Sequence, residues 1–570
     1  MEVNLLIKNV NVFNCYLKRF IKENVAVLED KFLYVGGNAH DMRELSPKEV
    51  IDGEGKFLIP GLIDIHMHIE SSMTTPFQFS QAVIPHGVTT VVADPHEIAN
   101  VLGMEGIKAF IEDSKNTIID IFYGIPSSVP STSATLETTG GRIKEEEVYE
   151  LLHYNEVKCL GEVMNFVDLI GDENSTINKI ISLVKEKRPE LLIEGHCPKI
   201  EGLNLAKYIY KGVDGDHTQQ SPKSLEEKIK NGMFIEIQEK SMSEENIKYL
   251  MDNNLYEHFA LVTDDVMADK IIDGHLNRLV KNAIIRGLSP EMAIYTSTFT
   301  PARRMGLKDR GAIAPGKIAD FILLNNLEEF KVEKVYKNGK LTYNGKLHLK
   351  ENINFYPEKF YNTVCLEKLK KEDFDIKTPI KQGDIKCRVI EVKDGSTFTE
   401  EKEETLKVRD GKLLWEGFPY CLIGVFERYG KNGNRTFGLV KGDIIKEGAV
   451  ATTWAHDHHN LMVMGKNLED MIVAANWVIE NSGGYSTAKN GEVLSGVELK
   501  IGGIVSDERI DILGGKLKKL REALRELGYN HHNEIMSFST LSLPVSPSIK
   551  ITDKGLIRVK TGEILSLFTE

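Results

Sequence analysis

His66 and His68 stand two residues apart in Leu62-Ile63-Asp64-Ile65-His66-Met67-His68-Ile69-Glu70-Ser71. On an extended strand this spacing places both imidazoles and Asp64 on one face, with Ile63, Ile65 and Met67 on the other. Two imidazoles pointing the same way can reach one metal centre. Alone, the pair could equally be the polar edge of an amphipathic strand. Further side chains of metal-ligand type follow: Glu162 in Gly161-Glu162-Val163, His196 in Gly195-His196-Cys197, His217 in Asp216-His217-Thr218 and Asp264 in Thr263-Asp264-Asp265. Four imidazoles and two carboxylates can hold two divalent cations. Glu162 can then bridge an ion on His66 and His68 to another on His196 and His217. Imidazole and carboxylate donors without thiolate suit Mn²⁺, Fe²⁺ or Zn²⁺. Such a centre makes water a nucleophile near neutral pH, and Asp264 can take up the released proton.

Ligands so far apart in sequence need a scaffold that collects strand ends. Eight apolar segments read as strands: Leu62–His68, Thr89–Ala93, Ile118–Tyr123, Cys159–Val163, Leu191–Glu194, Gly212–Gly215, Met233–Ile237 and Phe259–Val262. They alternate with helical stretches over about 250 residues, the length and pattern of an α/β (β/α)₈ TIM-type barrel. Each ends in, or runs into, polar residues, and the C-terminal strand ends are where side chains converge in a barrel. The barrel is assigned to residues 56–305. Short strands at residues 1–55 and at 306–345 are each too small to bury a core. They are expected to pair as a small β-sandwich built from both flanks of the barrel. Residues 350–570 open with a charged, irregular stretch and resume as strands and helices, a separate C-terminal α+β domain.

The chain has 570 residues, 41% hydrophobic and 27% charged, with a net charge of −13 and six scattered cysteines without a CxxC pair. This is the profile of a globular protein of two or three domains from a reducing compartment. The spread negative charge argues against nucleic-acid and anionic-membrane partners. No secretory leader pattern and no apolar run of bilayer length is present, so a cytoplasmic location is expected. The expected partner is a small-molecule substrate, within a homo-oligomer, a dimer.

Pro60-Gly61-Leu62-Ile63-Asp64-Ile65-His66-Met67-His68, the later single histidines, Asp264 and Ile313-Ala314-Pro315-Gly316-Lys317-Ile318-Ala319-Asp320 resemble the amidohydrolase superfamily. Within it, His66–Met73, Ala93-Asp94-Pro95-His96-Glu97-Ile98-Ala99-Asn100-Val101, Ala455-His456-Asp457-His458-His459-Asn460 and Leu543-Pro544-Val545-Ser546-Pro547 resemble the bacterial adenine deaminases, nearly end to end. Glu162 stands where many superfamily members carry a bridging carboxylated lysine. The resemblance implies hydrolysis of adenine to hypoxanthine and ammonia by metal-bound hydroxide attacking purine C6. It implies two divalent ions, Mn²⁺ or Fe²⁺ before Zn²⁺, with Asp264 moving the proton to the leaving nitrogen. The same scaffold also permits hydrolysis of a cyclic amide or an N-acyl substrate, or a non-catalytic barrel, which the intact ligand set opposes.

Glu97 and His96, after the second strand, are expected to help bind or protonate the ring, or to orient the metal ligands by hydrogen bonds. Glu70, Ser71 and Glu236 are further substrate-binding candidates. The parity of Glu236 on its strand is open. The cluster His456, His458 and His459 is expected to form an accessory metal site or an arm over the barrel mouth, the alternative being a polar turn.

Overall fold

The computed structural model of the chain describes residues 1–347, 356–417 and 419–569. The start of the C-terminal domain expected at residue 350 therefore falls outside the described residues as far as residue 355. The N-terminal flank forms β1 (Glu2–Asn14), β2 (Arg19–Leu28), β3 (Lys31–Gly36), β4 (Ser46–Asp52) and β5 (Phe57–Pro60). The eight barrel strands follow: β6 (Leu62–Met67), β7 (Val88–Ala93), β8 (Asp120–Ile125), β9 (Val157–Val163), β10 (Leu192–Gly195), β11 (Gly215–Asp216), β12 (Phe234–Ile237) and β13 (Phe259–Leu261). After them come β14 (Phe321–Leu324), β15 (Val332–Lys337) and β16 (Lys340–Tyr343).

The two flanks share one eight-stranded sheet, ordered β16-β15-β14-β5-β1-β2-β3 with β4 beside β1. It curls on itself: the Phe32 N–H donates to Lys317 O at 2.9 Å, and Phe32 packs on Phe321. Leu5, Val12, Val27, Leu58, Ile313 and Phe321 share the core this encloses. Strand β5 belongs to this sheet through its pairing with β1 and β14, so the sheet reaches Pro60, inside the stretch the sequence assigned to the barrel.

In the barrel, β10-β9-β8-β7-β6 and β11-β12-β13 are parallel ladders. The Asp214 N–H donates to Ile193 O at 3.1 Å across one gap, and the Asp264 N–H donates to His66 O at 3.1 Å across the other. Ile63, Ile65, Val92, Cys159, Phe234, Ala260 and Val262 form one buried cluster with Ala302, Met305 and Leu307. Residues of strands that are not neighbours can meet this way only across the barrel lumen, so the cluster is a packed floor. The ladder of β6 with β7 shifts register between Asp64 and Met67. This irregularity overturns the strict alternation read from the sequence. Asp64 does not join His66 and His68. Its carboxylate accepts the Thr263 N–H at 3.2 Å and the Thr263 hydroxyl at 2.6 Å, because a bulge re-aims the side chains beyond it.

The C-terminal domain is built on β17 (Gly383–Val392), β18 (Thr399–Arg409), β19 (Lys412–Leu414), β20 (Cys421–Phe426), β21 (Arg435–Gly442), β22 (Ala449–Thr452), β23 (Leu461–Gly465), β24 (Gly484–Lys489) and β25 (Glu492–Glu498). These belong to a ten-stranded sheet packed with the helices Leu468–Glu480 and Ile510–Glu526. The domain caps the polar rim of the barrel. Trp454, fully buried, donates its Nε1–H to Glu70 O at 3.2 Å, and the Ser506 N–H donates to Met73 O at 2.8 Å. Arg521 joins buried Asp269 of the barrel, at 2.8 Å, to buried Glu534, at 2.7 Å. Among the described residues no helix is long and apolar enough to cross a membrane.

Removing one partner of a buried ion network strands the others without compensation. Arg521→Ala is therefore expected to cost about 3 kcal/mol of stability, lowering the first calorimetric transition by several degrees. An unchanged transition would show that this junction contributes nothing.

Candidate metal centre

The centre forms where β6, β9, β10, β11 and β13 end. Glu162 closes β9, and its carboxylate faces two ways. Oε1 lies 3.5 Å from His68 Nε2, whereas Oε2 lies 2.8 Å from His196 Nδ1 and 3.2 Å from His217 Nε2. Asp264 Oδ1 sits 3.5 Å from His68 Nε2 and 3.8 Å from His66 Nε2. The His66 and His217 rings stack at 3.8 Å between centroids. The structure thus brings all six side chains together at one rim.

Local hydrogen bonds fix these groups. The Glu162 N–H donates to Asp94 Oδ2 at 2.9 Å, and Ser127 Oγ donates to Glu162 O at 2.7 Å. The next residue back must be glycine, since a Cβ on Gly161 would fall 2.1 Å from Asp94 Oδ2. His68 Nδ1 lies 3.0 Å from Asp94 O; donating there leaves Nε2 free for a ligand. Tyr208 OH accepts the His196 N–H at 3.1 Å and donates to Val163 O at 2.7 Å. Asp264 adopts a left-handed backbone at φ 58°, an uncommon conformation for a side-chain-bearing residue and one concentrated at functional sites.

Electrostatics favour a cation. Burial, reinforced by the His217 charge, pushes the His66 imidazole well below its usual range, so it is neutral with a free lone pair. Burial opposes ionisation of Glu162, but His217 and His196 hold its carboxyl well below the usual range. Asp264 is likewise held low: burial resists, and the contact with His68 and the charge of His217 prevail. Burial lowers His217, but Glu162 outweighs it and brings the group up to about 9. His66 Nε2 and His217 Nδ1 are buried without a hydrogen-bonding partner among the described residues. Nitrogen-to-oxygen gaps of 3.5–3.8 Å are too long for hydrogen bonds. Two ligands of one ion stand at similar separations, so these residues would fit divalent cations, with Glu162 facing both sets of imidazoles.

The other candidates divide. His96 lines the cavity over the centre, with Nδ1 3.7 Å from Glu162 Oε1. Glu97 lines it too, but its carboxylate is gripped by His456 and His459 of the C-terminal domain. Three others lie elsewhere. Glu70, Ser71 and Glu236 are not among the described residues lining the cavity. Glu70 Oε1 accepts the Ile98 N–H at 3.0 Å, and Ser71 Oγ donates to Asp265 Oδ1 at 2.5 Å, so both support the rim from behind. Glu236 lies under the centre, 3.5 Å from His66 Nδ1, and burial together with the neighbouring Glu194 raises its carboxyl well above the usual range. Of the histidine cluster, His456 lines the cavity and His459 meets Glu97. His458 instead turns into its own domain, where Nδ1 accepts the Asn460 N–H at 3.0 Å. The wall also includes Met164, Gln238, Lys240 and, unforeseen in position, Thr397-Phe398, Met536, Thr540, Leu543 and Val545 to Pro547. Only the Leu543–Pro547 motif hinted at these last residues in the sequence.

Residues 57–342 match the model of the amidohydrolase family, and residues 396–563 match that of the adenine deaminase C-terminal domain. The chain is 61% identical over 575 residues to the adenine deaminase of Clostridium perfringens (strain ATCC 13124), covering 100% of each. It is 49% identical to adenine deaminase 2 of Shouchella clausii (strain KSM-K16), covering 100% of this chain and 99% of that one. With the adenine deaminase of Thermosipho africanus (strain TCF52B) it shares 36%, over 100% and 97%.

His66→Ala is expected to lower the Mn²⁺ bound per chain by at least one equivalent with an unchanged circular dichroism spectrum. Full occupancy would remove His66 from the ligand set. Cation and proton compete for His217, whose group is raised to about 9. Apparent Mn²⁺ affinity should therefore climb with pH up to that value, with protons released on binding; a pH-independent titration would contradict this.

Proposed function

The chain belongs to the adenine deaminase family of amidohydrolases, and on that premise we propose that it hydrolyses adenine to hypoxanthine and ammonia at the Glu162 centre. The observation that carries the reading is the carboxylate of Glu162 turned to His68 on one side and to His196 and His217 on the other, with Asp264 alongside. His66, His68, Glu162, His196, His217 and Asp264 would hold the ions. Bound divalent cations supply a water acidified to near neutrality and a Lewis acid. The donor set suits Mn²⁺, Fe²⁺ or Zn²⁺, and the resemblance to adenine deaminases puts Mn²⁺ or Fe²⁺ first.

The residues then have separate tasks. Met164, Phe398, Leu543 and Val545 offer apolar surface to a flat purine, while Gln238 and Thr218 offer polar contacts at its edge. The C-terminal wall, foreign to a barrel on its own, supports a purine base over a cyclic amide or an N-acyl substrate. Asp264, held ionised, accepts a proton from the attacking water as the new C6–O bond forms. It delivers that proton to the exocyclic nitrogen, so that the C6–N bond breaks with ammonia as the leaving group. Lys240 Nζ, 4.0 Å from Asp264 Oδ2, steadies the carboxylate. The same reading includes a cytoplasmic homodimer, for which light scattering is the measurement.

Metal-loaded protein should release one ammonia per adenine consumed. Asp264→Asn should retain its metal yet turn over about 10²–10⁴-fold more slowly, the usual contribution of a positioned acid–base group. A near-wild-type rate would assign the proton transfer to another group, and no ammonia from the loaded wild type would overturn the reading.

A further inference from the structure

We propose that Phe398 is the ring on which the purine base stacks, and that buried Lys550 is the positioning residue that holds it there. The inference rests on the deaminase reading and adds to it the side chain that selects a flat aromatic substrate. Among the described residues lining the cavity, Phe398 is the only phenylalanine, tyrosine or tryptophan. The imidazoles of the same wall are engaged elsewhere: His68, His196 and His217 face Glu162, and His456 grips Glu97. Met164, Leu543 and Val545 supply apolar surface, but a planar π-system gains most against another ring.

A half-buried ring at the end of a connecting loop needs an anchor. Phe398 ends the loop between β17 and β18, and that loop is stitched to residues 546–550. The Thr399 N–H donates to Pro547 O at 3.0 Å, and the Thr399 hydroxyl donates to Ile549 O at 2.6 Å. On the other side of the ring, Thr397 O accepts from Lys550 Nζ at 2.7 Å and from Ser546 Oγ at 3.4 Å. Lys550 lies in β26 (Ile549–Thr552) and is fully buried. Burial pushes its ammonium down to about 7, and among the described residues no charged neighbour offsets that. An apolar side chain would occupy this place at lower cost, since a polar group out of water is favoured only by the hydrogen bonds it makes. The bond that Lys550 makes is to the residue beside Phe398. From the barrel, Lys199 Nζ stands 4.3 Å from the centre of the Phe398 ring, a cation–π contact. The ring is therefore held from both domains. The Leu543–Pro547 motif acquires a task as well: Leu543 and Val545 line the cavity, while Ser546 and Pro547 fasten the loop.

The experiment is calorimetric titration of the Mn²⁺-loaded full chain with unsubstituted purine, which lacks the exocyclic nitrogen and cannot be deaminated. Phe398→Ala and Phe398→Leu are both expected to weaken binding roughly 5- to 100-fold, the span of a lost stacking partner. Phe398→Tyr keeps the ring and is expected to retain affinity near that of the wild type. Lys550→Met should weaken purine binding in the same direction. Combined with Phe398→Ala it should add nothing further, because the lysine acts through the ring. Lys550→Gln, with a shorter donor, replaces Lys550→Met if that variant does not fold. Wild-type affinity in Phe398→Ala or Phe398→Leu, or no purine binding at all, would overturn the stacking. Additive losses in the double variant would remove Lys550 as its positioning residue. Ammonia release from adenine by the wild type is assayed alongside, so purine binding without ammonia would sink the deaminase reading and leave the stacking site in place.

Discussion

One carboxylate, Glu162, meets four imidazoles, and the fold is arranged to let it do so. Oε1 turns to His68 and His96, Oε2 to His196 and His217. Concentrating that many donors in a buried space is unfavourable unless positive charge arrives to neutralise the carboxylates and use the free nitrogen lone pairs. The backbone around Glu162 is accordingly rigid: its N–H is committed to Asp94, its carbonyl to Ser127, and Gly161 leaves room for the Asp94 carboxylate. Asp94 also accepts from His68 through its main-chain oxygen, so one residue orients both Glu162 and His68.

The barrel supplies convergence, and the second domain supplies enclosure. Packing of Ile63, Ile65, Val92, Phe234 and Val262 with Ala302 and Met305 closes the floor, and the cavity lies at the rim. There the C-terminal domain contributes Phe398, His456, Asp457 and Leu543 to the same cavity that His68 and Glu162 line. Its attachment is polar and buried, through Trp454 to Glu70 and Arg521 to Asp269, and through Glu97 to His456 and His459. The cavity is thereby walled by both domains.

Much of this was legible in the chain, and the limits have physical causes. The eight barrel strands could be placed because apolar runs of strand length end in His, Glu or Asp, a pattern that follows from burial on both faces with chemistry at one end. The six ligand candidates were read from residue type at those ends, and the fold gathers them at one rim. Asp64 was misplaced because alternation assumes an unbroken strand, and a register shift intervenes. Glu236 could not be assigned a face, and only the folded barrel puts it below His66 rather than in the cavity. His456, His458 and His459 form one motif in sequence, yet the turn sends His458 inward and the other two toward Glu97. The contributions of Thr397, Phe398, Met536, Thr540 and Leu543 depend on how one domain lands on another, which periodicity does not encode.

The central claim is that Glu162 lies between two cations. Anomalous diffraction at the manganese edge from crystals grown with Mn²⁺ tests it most directly. The account predicts a peak beside each Glu162 oxygen, the pair about 3.5–4 Å apart as in other two-metal sites. A single peak at this rim, or peaks that leave Glu162 uncoordinated, would contradict it.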